Sequence, residues 1–173
     1  MVDENTKLHT NLTTIIVLLL KENRLERNIQ QAHLAERLNK APSGLNKIES
    51  GKTPLSMDVF LAICNNLNIS PSFILSIAEA YAKLLSENGW VITHCSLPES
   101  DDALIQEANE YYSSVVFKNR GFSAISLNNP YVDIYRNYHG VEVIGYATFP
   151  AFKSHLINNR ENPFNNQLVN FNS

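Results

Sequence analysis

The sequence predicts an all-α region followed by a small α+β region, and three observations carry that reading. Up to about Asn88 the apolar residues recur at helical spacing, and after Trp90 short alternating runs dominate. The charge changes at the same place. Residues 1–78 hold eight Lys/Arg against seven Asp/Glu, whereas residues 79–173 hold six against ten. A boundary near Asn88 and Gly89 follows. It gives an α region over 1–78 whose last helix extends to about 88, an α+β region over 89–157, and an Asn-rich tail over 158–173 expected to be flexible.

The α region resolves into five helices. Leu12, Ile15, Ile16 and Leu19 fall at i, i+3, i+4 and i+7 and share one face of helix 1. Thr10 or Asn11 caps it, and the polar stretch from Glu22 to Asn28 ends it. Helix 2 runs from about Gln30 to Leu38, with Leu34, Ala35 and Leu38 inward. Asn39 then supplies a residue that tolerates a left-handed turn. Pro42 opens helix 3, where its missing N–H costs nothing, Leu45 and Ile48 form its buried side, and Gly51 stops it. Helix 4 spans about Ser56 to Leu67, with Val59, Phe60, Ile63 and Leu67 inward. Ser70-Pro71 opens helix 5, whose stripe runs through Ile74, Ile77, Ala78, Tyr81, Leu84 and Leu85. The far end of that stripe, Tyr81 to Leu85, packs on its own core, on the second region or on a second copy.

In the second region Trp90 to Leu97 is a strand candidate. Pro98 with Glu99, Asp101 and Asp102 suits a helix start, and Leu104, Ala108, Tyr111, Tyr112 and Val115 carry that helix to about Val116. Ser123 to Leu127 reads as a short strand and Asn128-Asn129-Pro130 as a turn. Tyr131–Tyr138 and Val141–Phe149 read as hairpin arms around His139-Gly140. The region is rich in tyrosine, an amphipathic side chain that serves cores, interfaces and pockets alike. Tyr111, Tyr112, Tyr135 and Tyr146, with Tyr81 and Leu85 from helix 5, are the candidates for a dimer or ligand surface. An ordinary aromatic core is the competing reading.

Residues 30–51 read QQAHLAERLNKAPSGLNKIESG. Two short helices joined by a tight turn bury Leu34, Ala35, Leu38, Leu45 and Ile48. Gln31, Pro42, Ser43, Asn46 and Lys47 stay outside, and a helix that presents short polar groups beside a lysine fits a major groove. The stretch from about Leu12 to Leu75 resembles the helix-turn-helix domain of the Cro/lambda-repressor-like (XRE-type) superfamily. The resemblance is carried by Gln31, Leu34-Ala35, Asn39, Ser43, Leu45 and Ile48-Glu49-Ser50-Gly51. Lys52-Thr53-Pro54, Leu61-Ala62-Ile63 and Leu67-Asn68-Ile69-Ser70 continue it. It implies a five-helix lambda-repressor-like fold for the first region. It also implies that Gln31 contacts a phosphate and braces the recognition helix. Pro42 and Ser43 stand where the family presents its first base-reading side chains, and Lys47 reaches a base edge or a phosphate. Asn46 and Ser50, with Lys52, stand at phosphate-contact positions. Two departures weaken readout. Ala41 replaces a Ser or Thr cap worth roughly 1 kcal/mol, and Pro42 removes a bidentate base contact worth ~1–3 kcal/mol.

Composition narrows the function classes. A hydrophobic fraction of 44% supports a core, and a net charge of −3 with pI about 5.9 excludes coating of nucleic acid through bulk positive charge. The apolar run Ile15–Leu20 is far shorter than the ~20 residues of a membrane span. The segment before it lacks the basic region of a signal peptide. Two cysteines, Cys64 and Cys95, build neither a disulfide scaffold nor a zinc site of usual spacing. On a strand, adjacent His94 and Cys95 face opposite sides. No G-x-S-x-G, P-loop, H-E-x-x-H or C-x-x-C occurs, and no Ala-Gly pair of the self-cleaving repressors. The expectation is a cytoplasmic, non-enzymatic DNA-binding regulator without cofactor or metal. It is expected to act as a repressor and to read a palindrome on double-stranded DNA as a homodimer, with a small-molecule or protein effector at the second region and no membrane partner. The alternative is an inhibitor or antitoxin whose α+β region binds a protein, the helix-turn-helix serving autoregulation or scaffold.

Overall fold

The computed structural model describes residues 7–121 and 127–161. Helix α1 spans Leu12–Glu26, α2 Gln31–Arg37, α3 Pro42–Glu49, α4 Met57–Asn66 and α5 Pro71–Glu87. An all-α region of helix-turn-helix type is thus followed by a mixed α/β region. The latter holds α6 (Ala103–Ser113), α7 (Val115–Lys118), α8 (Glu142–Thr148) and α9 (Pro150–Arg160), with strands no longer than three residues.

Local chemistry accounts for the helix ends. The Asn11 side chain accepts the Thr14 N–H and caps α1, and Ser56 does the same for α4 through Val59. Ser70 stands at the cap position of α5, but its hydroxyl pairs with Ser72. Asn39 lies in the left-handed region at φ +52°, as the turn between α2 and α3 requires. Gly51 ends α3 at φ +77°, and a Cβ there would stand 2.6 Å from Ile105 Cγ1. The left-handed backbone and the close approach of α6 both require glycine.

Helix α1 ends at Glu26, inside the polar stretch from Glu22 to Asn28 expected to end it, but Glu22, Asn23 and Arg24 are buried. A second layer of chain covers them, so a polar sequence sits inside. Residues Val141–Phe149 are not a hairpin arm. Their alternation is that of a strand, yet Val143, Ile144, Gly145 and Tyr146 are all buried in α8, which packs against both α6 and α9. Burial on every side erases the helical period. The hairpin instead joins β3 (Tyr131–Val132) to β4 (Tyr138–His139), and its turn is built by Asp133. That carboxylate accepts the N–H groups of Tyr135 and Asn137 and the Asn137 amide, which holds it down at about 2. Residues 158–160, expected in a flexible tail, are the last residues of α9. The strand expected over Ser123–Leu127 lies outside the described residues but for Leu127.

One apolar cluster extends from Ile15 in α1 to Leu156 in α9. The far end of the α5 stripe belongs to it, because the Tyr81 hydroxyl accepts the Val141 N–H at 2.6 Å, at the head of α8. Tyr81 and Leu85 therefore pack on the second region.

Strand β1 (His9–Asn11), which no sequence feature announced, pairs in parallel with β2 (Val91–Thr93). Beside it Asp102 caps α6 through the Ile105 N–H and is buried. Its carboxylate also accepts Thr10 Oγ1 at 2.8 Å, Asn11 Nδ2 at 3.2 Å and Thr14 Oγ1 at 2.5 Å. At the other end of α1, Glu22 accepts the Tyr112 hydroxyl at 2.7 Å and pairs with Arg120 at 2.7 Å. Both ends of α1 are thereby tied to the second region.

Asp102→Ala removes a cap and strands three buried donors. The expected loss is about 2–4 kcal/mol of unfolding free energy, against less than about 0.5 kcal/mol for the exposed neighbour Asp101→Ala. Urea melts of the two variants give the comparison. Burial, then the neighbouring Glu22, raises the Glu26 carboxyl to about 7 from 4.5. The folded state binds the extra proton, so this residue makes stability fall as pH rises from about 4.5 to 7. Glu26→Gln is expected to flatten that part of the stability–pH curve, read by denaturant melts across the window.

Candidate nucleic-acid interface

The turn between α2 and α3 lays α3 across the domain surface. Leu45 and Ile48 anchor it, and Leu34 and Ala35 of α2 pack beneath. Pro42, Ser43, Asn46 and Lys47 stand exposed on the opposite side. Spaced i, i+1, i+4 and i+5, they form one continuous face. Lys52 is exposed just beyond the helix. Ser50 is half-buried, with its hydroxyl turned toward the Lys47 carbonyl at 3.4 Å and its own carbonyl accepting Asn109 Nδ2 of α6 at 3.3 Å.

The position of α3 is set from behind by a buried ion pair. Arg24 of α1 donates through Nε to Glu49 Oε1 at 2.7 Å and through Nη2 to Oε2 at 2.8 Å. Its third contact, Nη1 to the Ile29 carbonyl at 2.8 Å, fixes the loop before α2. Gln31 Nε2 adds a bond to Glu49 Oε2 at 2.7 Å and lies 3.5 Å from Asn46 Oδ1. One glutamate on α3 thus holds side chains from α1 and α2. The planar fork of an arginine against a carboxylate fixes direction as well as distance. Lys21, one turn before, lies with its ammonium 3.5 Å above the Tyr112 ring, and burial lowers it to about 8 while Glu49 opposes the shift.

Ala41, at the cap position of α3, provides no side-chain acceptor. The Ala41 carbonyl accepts the Gly44 N–H at 2.9 Å, and Pro42 has no N–H to satisfy.

Residues 20–74 match the family described as HTH_3: Helix-turn-helix. This segment is an XRE-type helix-turn-helix domain. The match covers about a third of the chain, from the middle of α1 to the first turn of α5. No curated protein and no solved structure matches the chain. Domains of the XRE type are non-catalytic, and among the described residues no group of three or more His, Cys, Asp or Glu side chains is placed to hold a metal ion. Among the described residues no single helix is long and apolar enough to cross a membrane.

The structure gathers Pro42, Ser43, Asn46 and Lys47 on the exposed face of the XRE-type domain, with Lys52 at its edge, and turns Gln31 inward as a brace. It does not gather the residues expected to form a dimer or ligand surface. Tyr81, Leu85, Tyr111 and Tyr146 are buried. Tyr111 stacks edge-on against Tyr112 and Phe117 and tilts against Tyr146, with ring centroids 5.2–5.5 Å apart. These aromatics are the chain's own core, and the half-buried Tyr112 is committed to Glu22. Only Tyr135, at 79% exposure on the hairpin, stays open.

Arg24 and Glu49 were not among the sequence candidates. The signal was present: Glu49 follows Leu45 by four residues, and Arg24 follows Leu20 by four, so both lie on buried stripes. Opposite charges at two core positions of one small domain imply a pair.

Breaking this pair leaves a buried charge alone. Glu49→Gln is expected to cost about 3–5 kcal/mol of stability. Arg24→Met combined with Glu49→Leu is expected to recover most of it. Thermal and urea unfolding of single and double variants close the cycle.

Proposed function

We propose that the chain is a cytoplasmic, sequence-specific regulator of transcription, a repressor, that reads a palindromic operator as a dimer through α3. The observation that carries the reading is the exposed face of Pro42, Ser43, Asn46 and Lys47 on a helix braced by the Arg24–Glu49 pair. A groove-reading helix needs short polar groups outside and a fixed orientation. In this reading Ser43 and Asn46 meet base edges or sugar-phosphate, Lys47 and Lys52 meet phosphates, Pro42 gives apolar contact, and the Ser50 end of the helix borders the backbone. Gln31 acts mainly by holding α3. One short helix neutralises few phosphates, so selectivity needs two copies on half-sites one helical turn apart.

A specific observation favours a second reading, in which the second region binds a protein and the helix-turn-helix regulates the chain's own gene. The hairpin loop exposes Ile134 at 88% and Tyr135 at 79%, beside exposed Tyr131 and Val132. Aromatic and aliphatic side chains so placed suit a partner surface.

Selection from random double-stranded DNA at fixed salt, with mass in solution measured alongside, separates the two. The regulator reading expects an inverted repeat bound by a dimer. Lys47→Ala should weaken binding evenly across sequences and reduce the salt slope by about 0.9 per half-site. Asn46→Ala should relax discrimination within the site by roughly 1–3 kcal/mol. Absence of enrichment at low and physiological salt, with function lost in Ile134→Ser and Tyr135→Ala, would establish the second reading.

A further inference from the structure

A cavity of about 120 Å³ opens between the two regions, at the C-terminal end of the recognition helix. Three walls meet there. The first turns of α1 give Thr13 and Val17, the end of α3 and the segment after it give Ile48, Thr53 and Leu55, and the stretch before α6 gives Ser96 and Glu99. Ile105 of α6 lines it too, from beside Gly51.

The chemistry of the lining is uneven. Val17, Ile48, Leu55 and Ile105 supply an apolar floor. Two carboxylates, Asp102 and Glu99, are present, and no Lys, Arg or His belongs to the lining. Asp102 is saturated by Thr10, Asn11, Thr14 and the Ile105 N–H. Glu99 accepts from Gln106 only through its backbone carbonyl, and no hydrogen bond or ion pair from a described residue engages its carboxylate. The hydroxyls of Thr13, Thr53 and Ser96 are likewise uncommitted among the described residues. An apolar floor with a free carboxylate and three free hydroxyls among its lining residues, and with no Lys, Arg or His among them, disfavours anions and suits a compact body carrying one positive charge. The volume limits the size: a cavity of roughly 150 Å³ encloses one benzene, so this smaller and partly open one, of about 120 Å³, seats a single ring only in part.

We propose that this seam binds a small organic cation, a protonated primary amine on a compact apolar body, with the ammonium on Glu99 and the body over Val17, Ile48 and Ile105. The wall formed by Ile48 belongs to the helix that reads DNA, so occupancy shifts operator affinity, and the operator shifts amine affinity by the same factor. That consequence rests on the regulator reading above, whereas the site itself does not.

The full chain, labelled with ¹⁵N, is titrated with benzylamine, benzyl alcohol and benzoate at constant pH and ionic strength. Benzylamine is expected to give saturable shifts at the amides of Thr13, Ile48, Gly51 and Glu99, benzyl alcohol weaker ones, and benzoate none. Glu99→Gln, at a half-buried position in the turn before α6, should weaken benzylamine about threefold or more and leave benzyl alcohol unchanged. Thr53→Phe, at the exposed rim, should block both. Benzoate binding as well as benzylamine, no saturable shift, or an unchanged benzylamine affinity in Glu99→Gln overturns the site. Benzylamine is then added to the selected operator complex at the same salt. An unchanged DNA affinity with the site occupied overturns the coupling. Amine binding by a chain that selects no DNA sequence keeps the site and removes the regulator reading.

Discussion

The Arg24–Glu49 pair is the constraint on which the exposed face of α3 depends. Helix α3, with eight residues, has too few hydrogen bonds to be stable alone. It also lacks a side-chain cap and carries Gly44 within it. Two apolar anchors, Leu45 and Ile48, hold it down but leave it free to roll. The fork from α1 removes that freedom, because two parallel bonds from one guanidinium define a plane. Gln31 closes the arrangement from α2. Burial makes the pair costly to assemble and costlier to break, so it serves geometry more than net stability.

Helix α1 is the shared member of both regions. Its apolar middle packs along α5, its first turn is tied to Asp102, and its last turns meet Glu22's partners Tyr112 and Arg120 and also the Glu49 side chain of α3. The network continues through Tyr111, whose hydroxyl donates to Glu142 at 2.6 Å, to Arg160, which grips the same carboxylate at 2.6 and 2.9 Å. Polar groups from α1, α6, α8 and α9 and from Arg120 thus form one chain of bonds beneath the aromatic core. Displacing α6 would load both the Asp102 hub and the Ile105 contact at Gly51. The two regions share packing and hydrogen bonds rather than meeting across a slippery interface.

How much of this was legible in the sequence follows from what each signal measures. Helices α2 to α5 were readable because each has one wet face, so Leu34, Leu45, Phe60 and Ile74 mark inward stripes at helical spacing, whereas α1 is buried nearly all round. The cap at Asn11, the left-handed turns at Asn39 and Gly51 and the start of α4 at Ser56 were readable because they are local. The face of Pro42, Ser43, Asn46 and Lys47 followed from those helices. The second region was harder. Helix α8 is covered on both sides, which leaves no polar stripe to mark its period. The hairpin turn is made by one carboxylate, Asp133, and not by the Gly that usually marks such turns. Strand β1 has three residues and gains its identity only from a partner 82 positions away in the register His9↔Val91. The polar end of α1 was legible as a helix terminus, but its burial was not, because its covering, Tyr112 and Arg120, lies far along the chain. Hydrophobic pattern reports exposure to water, and here the covering came from non-local chain.

The pairing of β1 with β2 has a consequence in time as well as space. The five helices of the first region lie inside a loop whose ends are fastened by residues 9–11 and 91–93, and the Asp102 carboxylate that receives Thr10, Asn11 and Thr14 comes later still. On the ribosome the helices can form as they emerge, but the clasp that seats the head of α1 cannot close until α6 has left the exit tunnel. Closing so long a loop is entropically slow. The XRE-type domain therefore reaches its finished form only after synthesis has passed Asp102, and the second region acts as the last step in the maturation of the first.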